Sequence, residues 1–127
     1  MEAFSRGPRV FGEAESPGDV VLVNLNDGPE GLGVVLENQT GRRVQLSFKK
    51  VPAYRSIQEE LRPDLWGRFD AADHQVLWIV DDSDWLKSLS RARLLDVHHP
   101  GVVHYLILTA DECIDILSPD PPEIGVL

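Results

Sequence analysis

Two apolar runs near the end of the chain constrain its fold more than any other feature. VVHYLILT, residues 102–109, is largely apolar in both of its alternating sets: Val102, His104, Leu106 and Leu108 against Val103, Tyr105, Ile107 and Thr109. A strand that is apolar on both faces belongs in the middle of a sheet. Ala110-Asp111-Glu112 then turns the chain into CIDILS, where Ile114 and Ile116 face the core and Cys113 and Asp115 face the other way. The rest of the chain has to be arranged around this pair.

The earlier segments read by the same alternation. VVLVNL, residues 20–25, is apolar on both faces until Asn24 and is expected to form a buried strand. NDGPEG is dense in turn formers and leads to LGVVLEN, a second strand. QTGRR connects this tightly to VQLSFKK, whose Val44, Leu46 and Phe48 alternate with Gln45, Ser47 and Lys49 in a half-exposed strand. The three together predict an antiparallel meander. VPAYRSIQEEL is consistent with a short strand or a helical turn, and Pro63 ends any helix begun there. RPDLWGRFDAADH reads as a surface excursion carrying Trp66 and Phe69, and QVLWIV as a strand.

DDSDWLKSLSRARLL predicts one clear helix over about 83–93. Asp82 or Ser83 caps its free amides, and Asp84 sits where the helix dipole favours an anion. Residues 1–18, rich in Gly and Pro, read as a loosely held arm with a short strand around Val10 and Phe11; residues 19–127 read as one domain. The prolines of SPDPPEIGVL exclude central-strand pairing there. The expected class is α+β: a mainly antiparallel sheet of about six or seven strands with one helix.

A chain of 127 residues supports a single core. Its formal charge of −9, from 12 basic and 21 acidic residues, repels phosphate backbones and argues against nucleic acid as a partner. The same field favours encounter with a basic protein. Cys113 is the only cysteine, so no intrachain disulfide forms, and a lone thiol fits a reducing compartment. No apolar run reaches the length of a signal peptide or a membrane span. A cytoplasmic protein that does not enter membranes is the expectation.

LLDVHHPGVVHYLILT holds three of the four histidines. On an extended backbone His98 and His99 point to opposite sides, and His104 lies beyond Pro100 and Gly101. A zinc site needs several ligands converging tetrahedrally, and the chain has neither a second cysteine nor a HExxH helix. No metal or cofactor is therefore predicted, and LLDVHHPG reads as a polar loop. His104 and Asp115 form a candidate polar site, because a hairpin places their strands side by side. DDSD at residues 81–84 offers three carboxylates, and helix capping accounts for them without a cation. GPEGLG lacks the Lys-Ser/Thr of a phosphate loop. There is no GxSxG elbow and no CxxC, so no catalytic residue is assigned. Trp66 with Asp70, Asp73, Asp81, Asp82 and Asp84 is the candidate partner-binding surface, since aromatic anchors dominate interfaces. Trp78 and Trp85 are expected in the core.

VDDSDWLKSL, HYLILTADECIDILS and PPEI, within residues 76–124, resemble a group of small acidic bacterial proteins. In that group a strand ends in a Val-Glu-Asn-Ser-like turn, followed by a Trp/Tyr-(Leu/Ile)-Lys helix, a His-Tyr strand, an Asp-x-Ile-Asp-Val-Leu-Ser strand and a proline-containing tail. Here Asp81-Asp82 stands in place of the Glu-Asn pair, and the earlier half matches only in LSFKKVPAYR. The resemblance implies a shared α+β fold and supplies no catalytic residue. Some members look like immunity proteins of toxin systems, which implies a toxin as partner; the basic character expected of it comes from the charge above. The expected function is thus a small non-catalytic binding protein. Two alternatives remain open: a metal-dependent hydrolase or other enzyme using the His98, His99 and His104 region, and a homo-oligomeric scaffold.

Overall fold

In the computed structural model the described residues are 1–12, 16–69, 75–91 and 94–127. In chain order the strands are β1 (Ala3–Arg6), β2 (Val21–Gly28), β3 (Gly31–Glu37), β4 (Arg43–Phe48), β5 (Ala53–Gln58), β6 (Leu77–Asp81), β7 (Val103–Leu108), β8 (Glu112–Ser118) and β9 (Glu123–Val126). The helices α1 (Asp84–Ser90) and α2 (Leu94–His98) lie between β6 and β7. The run VVHYLILT becomes β7, the middle strand of an antiparallel sheet ordered β1-β6-β7-β8-β5.

The expected single sheet of six or seven strands is corrected here. Among the described residues the strands form two antiparallel sheets, the second ordered β2-β3-β4-β9. Alternation marks which residues face inward but carries no information on which strands share a ladder. The division follows from packing. Val34, Leu36, Val44, Leu46 and Phe48 of the four-stranded sheet meet Leu77, Tyr105, Ile107, Ile114 and Ile116 of the five-stranded one in a single core. The Phe48 and Tyr105 rings lie 5.6 Å apart across it. Each such side chain contributes about 1.5–3 kcal/mol on full burial, so a one-residue register slip in a central strand would be prohibitive.

The five-stranded sheet is covered on its other face as well. Trp78, Val80, Leu106, Leu108 and Cys113 pack there with Leu65, and with Phe4 and Phe69 at the margin. Phe69 sits 4.8 Å from Phe4 and 4.9 Å from Trp78, so the excursion after β5 and strand β1 together roof this second cluster.

Several local expectations change. VVLVNL does form a strand, but β2 lies at a sheet edge, with Val21 and Val23 exposed. An irregularity between Leu22 and Asn24 shifts its register, which is why its apolar alternation misleads. Within residues 1–18, the strand is Ala3–Arg6 and not the segment around Val10 and Phe11, which are buried in the main core without strand structure. The helix expected over 83–93 is observed at Asp84–Ser90. LLDVHHPG is not wholly a loop, because Leu94–His98 forms a short helix that buries Leu95. Prolines keep β9 at an edge, paired with β4. Among the described residues, no helix is long and apolar enough to cross a membrane.

Candidate functional site

The outer face of the five-stranded sheet carries one polar line through an apolar surface. Register pairs Leu106 with Asp115 and His104 with Leu117, so His104 and Asp115 are diagonal neighbours across β7 and β8. His104 Nε2 lies 2.6 Å from Asp115 Oδ1. Val80 of β6 pairs with His104, and the chain leaving β6 brings Ser83 Oγ to 2.6 Å from His104 Nδ1. Ser83 is also the N-cap of α1, its Oγ accepting from the Leu86 N–H at 3.1 Å. Ser83 and His104 are each 3% exposed and Asp115 is fully buried.

Two arginines close the line on the carboxylate side. Arg62 Nη1 donates to Asp115 Oδ2 at 2.5 Å, and Arg55 Nε, on the β5 residue paired with Asp115, donates to the same oxygen at 2.9 Å. Arg62 is itself buried and forks onto Asp64, at 3.1 Å from Nε and 3.2 Å from Nη2. Burial pushes the Asp115 carboxyl up, but the His104 hydrogen bond and the charges of Arg62 and Arg55 outweigh it and hold the group at about 2. For Arg62, burial disfavours the charge, and its pairing with Asp64 and Asp115 more than restores it, so its pKa is raised.

The proton arrangement that satisfies every member follows from the ionised carboxylate. Nε2–H donates to Asp115, Nδ1 accepts from the Ser83 hydroxyl, and that hydroxyl oxygen accepts from Leu86 N–H. A Ser–His–Asp line of this kind invites comparison with nucleophilic triads. In those, Nε2 faces the serine and Nδ1 the carboxylate. Here the ring is used the other way round. Above the line is a cleft of about 340 Å³ whose lining includes His104, Asp115, Arg55 and Trp85 but not Ser83. Trp85 packs edge-on to the His104 ring, 5.2 Å between centroids, and is half-buried over the cleft instead of lying in the core.

The remaining sequence candidates disperse. Trp66 is 58% exposed, donates its indole N–H to the Glu59 carbonyl at 3.3 Å, and does not line the cleft. Asp81 accepts from the Ser5 hydroxyl at 3.0 Å. Asp82 takes the Met1 ammonium at 2.6 Å and pairs with Lys87; the hydrogen bonds from Lys87 and from that ammonium hold its carboxyl at about 2. Asp84 lines the cleft, and its backbone N–H donates to Glu2 Oε2 at 2.9 Å. Asp70 and Asp73 lie outside the described residues. His98 is exposed on α2, and neither it nor His99 lines the cleft. Among the described residues, no group of three or more His, Cys, Asp or Glu side chains is placed to hold a metal ion.

Sequence reasoning missed Ser83 as a partner of His104, together with Arg55 and Arg62. The sequence marks Ser83 only as a helix cap, and a cap residue gives no sign of a second role. Arg55 had one usable signal, its place in an alternating strand. Arg62, beside Pro63 in irregular chain, had none. No protein-family model, curated protein or solved structure matches the chain.

Proposed function

We propose that this is a small non-catalytic binding protein that engages a basic protein partner through its acidic surface, in the manner of an immunity protein neutralising a toxin. One observation carries the non-catalytic part: the polar groups of the Ser83–His104–Asp115 line are all engaged inside the fold. A nucleophilic serine must present its Oγ to substrate, next to a base free to take its proton. Ser83 is buried, caps α1 and is absent from the cleft lining. The His104 ring nitrogens are both occupied.

A net −9 on 127 residues repels nucleic acid and steers basic proteins toward the chain. The immunity reading rests on the resemblance of residues 76–124 and on that charge.

The test is calorimetric titration of the purified protein with the product of the adjacent gene, at low and at moderate salt. The reading predicts saturable binding that weakens as salt rises. Absence of binding at both salt levels would overturn it.

A further inference from the structure

One polar group in the cleft keeps donors to spare. Arg55 is fixed from two sides: its Nε donates to Asp115 at 2.9 Å, and its guanidinium lies 4.5 Å from the centroid of the Trp85 ring. Its two Nη groups have no hydrogen-bond partner among the described residues, and the side chain is 34% exposed. Arg55 also has no carboxylate of its own. Asp115 answers both Arg55 and Arg62, and Arg62 has Asp64 besides. A guanidinium held rigid, with its outer edge free, is preorganised for a carboxylate.

The surroundings narrow the ligand. Phe4 and Leu65 give the cleft apolar walls, while the carboxylates of Glu2 and Asp84 line it too. A simple anion would meet repulsion from those two acids, and a simple cation would meet it from Arg55. A ligand carrying both charges satisfies all three. The volume of about 340 Å³ falls within the range of about 300–1,000 Å³ typical of small-molecule sites.

We propose that this cleft binds an amino-acid-like zwitterion with an apolar side chain. Its carboxylate pairs with the free edge of Arg55, its ammonium faces Glu2 and Asp84, and its side chain packs on Phe4 and Leu65. The site is independent of the basic-partner reading, and either can fail without the other.

The test is titration with L-leucine, followed through the assigned indole N–H resonance of Trp85. Leucinamide, which lacks the carboxylate, and isocaproate, which lacks the ammonium, serve as controls. L-leucine is expected to give a saturable shift, with each control weaker by about tenfold or more. Arg55→Lys keeps the charge that faces Asp115 but loses the fork, and should weaken leucine about tenfold in a protein whose spectrum stays native. Asp84→Asn, at an exposed position, should weaken leucine but not isocaproate. No saturable shift with leucine, or equal binding of leucine and leucinamide, would overturn the proposal.

Discussion

His104 and Asp115 meet diagonally across two neighbouring central strands, Nε2 to Oδ1 at 2.6 Å, on a sheet face otherwise given to apolar packing. A buried carboxylate is tolerable only when its charge is answered, and here a histidine and two arginines answer it. Replacing Asp115 by Asn leaves both guanidiniums facing a neutral amide, one of them buried. Breaking a buried ion pair costs about 3–5 kcal/mol. Urea denaturation of Asp115→Asn is expected to show a loss of that size, against a loss below about 0.5 kcal/mol for Asp120→Asn on the surface.

The same carboxylate sets an acid limb. Its folded pKa of about 2 is below the ordinary 3.8, so its ionisation stabilises the fold fully above about pH 4. That contribution, about 2 to 3 kcal/mol, is lost as pH falls toward 2. Urea midpoints measured from pH 5 down to pH 2 should decline over that window in the wild type, and decline much less in Asp115→Asn.

Ser83→Ala removes two things at once: the cap on Leu86 N–H and the hydroxyl facing His104 Nδ1. A lost cap costs about 1 kcal/mol, and a buried ring nitrogen left unpaired costs about 1–3 kcal/mol. A combined loss of about 2 kcal/mol or more is expected by chemical denaturation. If the cap alone mattered, Ser83→Asp would restore stability; a buried carboxylate against His104 should prevent that rescue.

These predictions turn on contacts that the sequence reveals only in part. The faces of β7 and β8 were legible because alternation over a long apolar run fixes parity, and parity places His104 and Asp115 on one side. The meander β2–β3–β4 was legible because its turns are short. Sheet membership was not, since it depends on long-range pairing such as β1 with β6 and β4 with β9. The edge position of β2 was hidden by an irregularity that no residue between Leu22 and Asn24 announces. Arg62 reaches Asp115 across 53 residues of chain, a contact no local pattern encodes.

Gly31 closes the β2–β3 hairpin with φ of +121°, and a Cβ there would overlap the Phe48 carbonyl oxygen on β4. Both the conformation and the contact exclude a side chain. Gly31→Ala should therefore lower stability by about 2 kcal/mol or more, through strain plus overpacking. Gly41 has φ of +81° but open space where a Cβ would sit, so Gly41→Ala should cost only about 1 kcal/mol. Thermal melts of the two variants check the difference.

Cys113 is buried beneath Leu65 and Leu108, and that burial pushes its thiol up to about 11. The native protein should resist a thiol-directed disulfide reagent at neutral pH and react with one equivalent once unfolded. Rapid reaction in the native state would mean that the outer cluster opens freely.

The central claim is that the Ser83–His104–Asp115 line serves the fold and that the protein acts by binding. Exposure of the folded protein to a fluorophosphonate, followed by intact-mass and peptide mass spectrometry, tests this directly. The account predicts an unmodified protein; a stoichiometric adduct on Ser83 would contradict it.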